Sequence, residues 1–277
     1  MPAFRNAIRL GVDELETDVN ITADGELVII HDDSLNRTTD CRGVVHRWTL
    51  AEVRRCDAAY WWTPGVITLL PGAGARAERD ASASHPLRGK GVRVPTVREF
   101  FAYIVALGAR APQFSIEIKN IPYDFNFDPL GHRIADALVP LIHEYGLTSK
   151  AVVESFWPAS LARVKQLDPS IRTMFLTLGS ALANYAYVAA TPTEFSSSDT
   201  VAPDLGALYV KNVHRLGKKV VPWLVDARSD WDKVKDLGVD GVISSYPACI
   251  MQAMGRAVSP PYVTPEAGPI SDVAACP

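Results

Sequence analysis

Short apolar segments of strand length alternate with segments of helical periodicity along most of this chain. Such alternation predicts a parallel sheet whose strands are joined by right-handed helical crossovers. Besides a hairpin return strand at residues 27–30, seven segments are strand candidates. They cover residues 13–19, 114–118, 151–156, 171–178, 193–197, 219–225 and 241–245. A closed barrel needs eight strands, and an open doubly wound sheet is the competing architecture. No glycine-rich phosphate loop follows an early strand, which favours the barrel.

One long interruption breaks this alternation. Between residues 56 and 92, glycine, proline, alanine and charged residues replace any sustained period, which predicts a loop insertion near the mouth of the fold. Helical periodicity resumes after Thr96, which has the spacing of a capping box with Glu99. We predict one barrel domain over residues 1–257, with an insertion at about 56–92, and an irregular tail over residues 258–277.

Charge and hydropathy limit the partners of the chain. A net charge of −3 argues against nucleic acid, which usually requires a basic face, but is compatible with a small anionic substrate. The sequence contains no run of about 18 apolar residues, so no transmembrane helix is predicted. No basic stretch followed by an apolar segment marks a secretory signal, so the cytoplasm is the default expectation, and the oligomeric state stays open.

The four cysteines are widely spaced along the chain. Their spacing matches no zinc or redox motif, and a disulfide framework normally has a denser pattern. We therefore predict free thiols, which leaves the redox compartment open. The cysteines are Cys41, Cys56, Cys249 and Cys276.

Glu16 and Asp18 are separated by one residue on a predicted strand, so their side chains point the same way. Two carboxylates this close repel each other unless a cation, a proton or solvent relieves them. A hard divalent ion such as Mg²⁺ or Ca²⁺ prefers oxygen ligands of this kind. The alternative is a pair of solvated acids on an exposed strand face, which is common in proteins.

Three further polar residues lie in or directly after apolar strands. Glu117 is an acid among apolar residues, which is costly to bury unless the acid is paired or bound to a metal. Lys119 faces the same way, so the two form either a plain ion pair or a metal ligand beside a phosphate contact. His31 follows the apolar strand at residues 27–30 and is either a general acid or base, or a partly exposed turn histidine.

Together these motifs resemble the glycerophosphodiester phosphodiesterase family. Residues 11–19 resemble its Glu-x-Asp metal strand, residues 22–32 its turn and His-Asp motif, and residues 116–119 its third metal-ligand strand. The resemblance covers about residues 2–247, and the ordered series is far more specific than any one piece. The remaining matches, in order, are residues 35–39, 94–96, 155–156, 221–223 and 238–243.

The resemblance implies a TIM-type (β/α)8 barrel that hydrolyses phosphodiesters of glycerol. Glu16, Asp18 and Glu117 would hold one divalent ion, Mg²⁺ or Ca²⁺, at the C-terminal mouth. His31 would protonate the departing alkoxide, and Lys119 would contact the phosphate as a point charge.

The resemblance also places Trp223 in the wall of the pocket. Shortly after Trp223, the sequence differs from the family pattern at two places. Asp226 stands where asparagine is usual, and Ser244-Ser245 stand where Thr-Asp is frequent. The family's opening strand with His-Arg-Gly, and the Glu-Asn-Thr segment after it, are absent. We therefore expect an N-terminally truncated barrel that lacks its first strand and has impaired hydrolysis. The alternatives are a catalytically silent barrel that binds a metal or a phosphodiester, and a phosphodiesterase acting on lysolipids or sphingolipids.

Overall fold

The computed structural model describes residues 1–61 and 88–258, and these form an α/β fold around one largely parallel sheet. Seven strands lie in the order β2-β1-β3-β4-β5-β6-β7, and only β2 is antiparallel to its neighbour. The strands are β1 Glu14–Ile21, β2 Leu27–Ile29, β3 Gln113–Ile118, β4 Ala151–Ser155, β5 Arg172–Thr177, β6 Phe195–Ser198 and β7 Lys219–Val220. The predicted α/β class and parallel pairing are confirmed.

Helices connect the parallel strands. They are α1 Pro2–Leu10, α2 Leu50–Val53, α3 Val97–Leu107, α4 His132–Glu144, α5 Pro158–Leu167, α6 Ala181–Ala190, α7 Ala207–Arg215, α8 Arg228–Val234 and α9 Pro247–Ala253. The predicted capping box opens α3, where the Glu99 amide donates to Thr96 Oγ1 at 3.1 Å and the Thr96 amide donates to Glu99 Oε2 at 2.8 Å. No helix among the described residues is long and apolar enough to cross a bilayer.

Strand alternation gives the sheet an outer face that packs on the helices and an inner face that carries the site. On the outer face, Leu15 and Phe114 are buried against Phe100 and Phe101 of α3. Each such side chain contributes about 1.5–3 kcal/mol when fully buried. Residues of opposite parity, among them Glu16 and the other strand acids, therefore point to the inner face.

The end of the sheet is less regular than the sequence predicts. β7 is short because Pro222, which has no backbone N–H, follows it closely, although the Trp223 amide still donates to the Ser198 carbonyl at 3.0 Å. The predicted last strand at residues 241–245 is not a regular strand. Its Ile243 amide donates to the Pro222 carbonyl at 3.0 Å, but among the described residues it makes no backbone hydrogen bond to β1. The seven strands therefore do not close into a hydrogen-bonded ring.

Two cysteines in the segment after β2 form a disulfide, so the prediction of free thiols is wrong for them. Cys41 and Cys56 are bonded with their Cα atoms 5.6 Å apart. Between them the chain folds over a small apolar cluster that includes Val45 and Val53, and this brings the two thiols together. Cys249 is disulfide-bonded as well, while Cys276 lies outside the described residues.

The two ends of the predicted insertion meet. The Ala58 amide donates to the Val92 carbonyl at 2.9 Å, and the Gly89 amide donates to Asp57 Oδ2 at 2.6 Å. Most of the predicted insertion, residues 62–87, and nearly all of the predicted tail, residues 259–277, lie outside the described residues.

Candidate active site

Acidic side chains from three adjacent strands stand side by side on the inner face of the sheet. Asp18 of β1 is in register with Glu117 of β3, and Glu117 is in register with Glu154 of β4. Glu16 lies two residues before Asp18 on the same face of β1. Asp18, Glu117 and Glu154 lie in the C-terminal halves of their parallel strands, and (β/α) barrels place their active sites at that end.

Lys119 neutralises part of this negative charge. Its Nζ lies 3.3 Å from Asp18 Oδ1 and 3.0 Å from Glu117 Oε1, and the residue is only 4% exposed. Although burial opposes the charged form, Glu117 and Asp18 raise the pKa of Lys119 above its ordinary value, so the ammonium stays charged. The predicted Glu–Lys ion pair is therefore present, and it extends to Asp18.

The acids themselves are held in an environment that disfavours their charge. Burial, followed by the charge of Asp18, raises the pKa of Glu117 to about 7 despite the nearby ammonium. Burial and the charges of Asp18 and Glu117 also raise the pKa of Glu16. Glu16 keeps solvent-accessible surface nonetheless, since the stretch of β1 beside it has a described partner strand only on the β3 side.

The predicted metal ligands Glu16, Asp18 and Glu117 share one face but do not form a tight triad. Among the described residues, only Asp40, Cys41 and Cys56 bring three ligand atoms all within 4.8 Å of one another. Their two sulfur atoms are consumed in the disulfide, so that group is unsuited to a metal. The strand acids stand wider apart because like charges repel and the Lys119 ammonium lies between Asp18 and Glu117.

His31 is held at the edge of this acidic cluster. Its Nδ1 lies 2.8 Å from Asp32 Oδ1, and Arg37 donates from Nε to Asp32 Oδ2 and from Nη2 to Asp32 Oδ1, both at 2.8 Å. Burial opposes ionisation of Asp32, but hydrogen bonds from His31 and Arg37 hold its pKa well below the ordinary value. The charge of His31 also acts on Glu117. An anchored carboxylate on Nδ1 fixes the ring orientation and turns Nε2 outward.

The opposite wall of the inner face is aromatic. Trp223 packs edge-on against Phe156 with ring centroids 5.5 Å apart, and both contact an apolar cluster that includes Val152 and Met174. The indole Nε1 is buried and has no hydrogen-bond partner among the described residues. A free N–H donor in such a wall is available to an oxygen-rich ligand.

Asp226 contacts Ser244 and Ser245, the residues at the other position where the sequence differs from the family pattern. Asp226 Oδ1 accepts hydrogen bonds from the Ser245 amide at 2.7 Å and from Ser244 Oγ at 3.3 Å. A carboxylate at position 226 therefore anchors the segment that carries the two serines. The hydrogen bonds of Asp226 therefore fix the position of residues 244–245.

Two aromatic side chains on the loop after β3 are exposed to solvent. Tyr123 and Phe125 are 102% and 77% exposed, and Tyr123 has a φ of 88°, which is uncommon outside glycine. The loop is tied to the site because the Phe125 amide donates to Asp33 Oδ2 at 3.1 Å. It therefore presents apolar surface beside the acidic cluster.

Sequence reasoning named Glu16, Asp18, His31, Glu117 and Lys119, and the structure brings these five to one region. Trp223 lies on the wall of the same inner face. The sequence analysis missed two contributors, Glu154 and Arg37. The signal for Glu154 was present, because it is an acid within an apolar strand, as Glu117 is. The role of Arg37 was not predictable, since it depends on how residues 32–37 turn back on themselves.

Comparisons with known proteins show which family this chain resembles. A sequence model of the glycerophosphoryl diester phosphodiesterase family matches residues 1–248. A glycerophosphodiester phosphodiesterase of Caldanaerobacter subterraneus subsp. tengcongensis is 29% identical over 92% of this chain and 90% of its own length.

Solved structures show the same fold. A glycerophosphoryl diester phosphodiesterase structure from Silicibacter pomeroyi has a TM-score of 0.75 at 24% identity and covers 92% of this chain and 88% of its own. An Oleispira antarctica phosphodiesterase, solved in complex with its product sn-glycerol-3-phosphate, has a TM-score of 0.69 at 23% identity and covers 90% and 87%. Both neighbours share the barrel-type fold with this chain.

Proposed function

Because this chain belongs to the glycerophosphoryl diester phosphodiesterase family, we propose that it hydrolyses glycerophosphodiesters to an alcohol and glycerol 3-phosphate. One observation supports the proposal most directly. Lys119 contacts both Asp18 and Glu117 on the inner face, and His31, which is held by Asp32, lies beside them. This arrangement supplies oxygen ligands, a cation for phosphate and a proton donor in one place. The substrate is a small molecule, and the net charge of −3 gives no support to nucleic acid.

A divalent ion, Mg²⁺ or Ca²⁺, is the second part of the proposal. Glu16, Asp18 and Glu117 would hold it, because hard divalent ions prefer carboxylate oxygens. The fit is supported by an unsatisfied acid on the same face, since Glu154 Oε2 is buried without a hydrogen-bond partner. When bound, such an ion stabilises negative charge that builds on phosphate oxygens.

Lys119 binds the substrate phosphate in this proposal. Its charge is secured by Glu117 and Asp18, so it can act as a fixed point charge toward an anionic oxygen. The indole N–H of Trp223, which is otherwise unpartnered, faces the same interior and can donate to the glycerol or the phosphate. The two donors together orient the diester.

His31 supplies the proton that the reaction needs. Water attacks phosphorus, the bond from phosphorus to the alcohol oxygen breaks, and the departing alkoxide takes a proton from Nε2 of His31. The proton that the attacking water loses passes to solvent, from which His31 is reprotonated for the next turnover. Asp32 holds Nδ1 at 2.8 Å and so fixes the orientation of the ring. Arg37 prevents Asp32 from turning away.

The direct test is release of glycerol 3-phosphate from glycerophosphocholine by the purified chain. We expect product only with added Mg²⁺ or Ca²⁺ and none after chelation, with the two ions compared to identify the better one. Product can be followed with glycerol-3-phosphate dehydrogenase in a coupled assay. A folded sample that releases no glycerol 3-phosphate with either ion would contradict the proposal.

Replacing His31 with alanine should slow diesters with poor leaving groups most, because a good leaving group needs little protonation. We expect a loss of about 10²–10⁴-fold on glycerophosphocholine and a much smaller loss on a nitrophenyl ester of glycerol phosphate. The control is His143→Ala, which removes another exposed histidine paired with an aspartate but lies away from the site. Equal losses on both substrates would argue against the acid role.

The exposed aromatic loop favours one second candidate, the hydrolysis of lysolipid diesters. Tyr123 and Phe125 offer apolar surface next to the acidic cluster, where an acyl chain would extend from a bound headgroup. A panel that compares glycerophosphocholine with lysophosphatidylcholine distinguishes the two. A preference for the lysolipid that disappears in the double variant Tyr123→Ser, Phe125→Ser would select this candidate.

A further inference from the structure

Glu154 is the acid of the inner face that the proposed mechanism leaves unused. It belongs to β4 and stands in register with Glu117 on β3, which in turn stands in register with Asp18 on β1. The three carboxylates thus form a row across three neighbouring strands. Neighbouring strands lie about 4.8 Å apart, so each acid of the row stands directly beside the next.

Glu154 is deeply buried and lacks a neutralising partner. Its residue surface is 1% exposed, and Oε2 has no hydrogen-bond partner within residues 1–61 and 88–258. The charged groups that act on it most strongly are other acids, with Glu16 and Glu117 first. Lys119 forms its ion pairs with Asp18 and Glu117, and no described lysine or arginine forms one with Glu154.

Glu154 and Glu16 are also close enough to act on each other electrostatically. Glu154 therefore neighbours both the first predicted metal ligand, on β1, and the third, on β3, on the same inner face. Two residues earlier on β4, Val152 belongs to the apolar cluster of the inner face. Glu154 thus marks the boundary at which this apolar layer ends and the acidic site begins.

A purely structural role does not account for these observations. A buried polar group without a partner costs stability, and an apolar side chain like that of Val152 would fill the same interior without that cost. A carboxyl oxygen left open toward three other acids is instead suited to a ligand that carries positive charge.

We propose that Glu154 is a fourth acidic residue of the divalent-cation site, with its open oxygen directed at the ion and its carboxyl group steadying Glu16. This inference rests on the proposed function, because it presumes that a cation binds between Glu16, Asp18 and Glu117. It adds a residue from β4 to ligands that come from β1 and β3. The site then spans three strands rather than two.

The test is calorimetric titration of the purified chain with Mg²⁺ alone and with Ca²⁺ alone, without substrate. Glu154→Gln keeps the shape of the side chain and removes its charge. We expect its affinity for the better ion to fall about 10–100-fold, the loss typical of residues that support metal ligands. Glu144→Gln is the control, because it removes the same charge from a half-exposed surface ion pair with Arg98, and its affinity should stay within about threefold of the wild type.

Thermal unfolding gives a second readout that does not depend on catalysis. Without metal, Glu154→Gln should be at least as stable as the wild type, because it removes an uncompensated buried acid. The rise in Tm that saturating metal produces should shrink in this variant and stay unchanged in Glu144→Gln. Glu154→Asp keeps the charge but retracts it by one methylene, and it should weaken binding in the same direction.

The outcomes separate this inference from the proposed function. If Glu154→Gln and Glu154→Asp bind metal as the wild type does while Glu117→Gln loses affinity, Glu154 is not part of the site and the proposed function stands. If Glu117→Gln also binds as the wild type does, or if the wild type binds neither ion, the cation site itself is refuted and Glu154 with it.

Discussion

Replacing Glu117 with glutamine is expected to lower kcat/KM for glycerophosphocholine by about a thousandfold or more. Glu117 is the central acid of the inner face, in register with Asp18 on one side and Glu154 on the other. In the proposed site, its loss would remove a ligand from an ion that would contribute several kcal/mol of charge stabilisation, and each tenfold in rate corresponds to about 1.4 kcal/mol. Initial rates with and without saturating Mg²⁺ or Ca²⁺ measure the effect.

The control for this variant is Glu144→Gln. Glu144 forms a surface ion pair with Arg98 at 2.6 Å, and its partner is about half exposed, so the substitution should leave turnover within twofold. Calorimetric titration should also show weaker metal binding for Glu117→Gln, and more metal should recover part of the rate. Unchanged turnover in the Glu117 variant would refute its assignment as a ligand.

Lys119→Met is expected to cause a large loss of stability in metal-free protein at neutral pH. Lys119 is the ammonium between Asp18 and Glu117, and its removal leaves buried acids without their cation. Breaking a buried pair in this way typically costs about 3–5 kcal/mol in the free energy of unfolding. Urea unfolding at pH 7.5 in the presence of a chelator measures the change.

The loss should be smaller at pH 5, and the sign follows from Glu117. The folded protein raises the pKa of this carboxyl from 4.5 to about 7, so the folded state holds a proton that the unfolded state has released. The free energy of unfolding therefore falls as the pH rises from about 4.5 to 7. Without the ammonium, protonation is the remaining way to relieve repulsion, so acid should rescue Lys119→Met.

A surface lysine provides the comparison. Lys233 is about half exposed and pairs with Asp230 at 3.1 Å, and Lys233→Met should cost about 1 kcal/mol or less because solvent screens the pair. A similar small loss for both variants, or a Lys119→Met loss that does not depend on pH, would show that the buried acids do not rely on this ammonium.

The strands that carry the acids were predictable because their signals are local. Alternation along β1 placed Glu16 and Asp18 on one face, and the apolar surroundings of Glu117 marked it as an acid that needs a partner. The end of the sheet was harder to predict. Residues 241–245 have the composition of a strand, but their pairing depends on Pro222 and on the side chain of Asp226, which belong to another segment.

Contacts between distant segments account for the remaining errors. The bond between Cys41 and Cys56 depends on how the loop folds over Val45, and spacing alone suggested free thiols. The position of the Lys119 ammonium between two acids likewise needs the register of β1 against β3. Sequence reasoning left the ion pair and the metal site as alternatives because both use the same side chains.

The contacts between residues 57–58 and residues 89–92 affect how the protein tolerates insertions and deletions in the segment between them. The Ala58 amide bonds to the Val92 carbonyl and the Gly89 amide bonds to the Asp57 carboxylate, so these two short stretches are held together. Additions or deletions between these two stretches leave the contacts themselves intact, since loop length alters the cost of closure only slowly. We therefore expect the sequence between these contacts to tolerate replacement by another sequence without a change in the strands around Glu16.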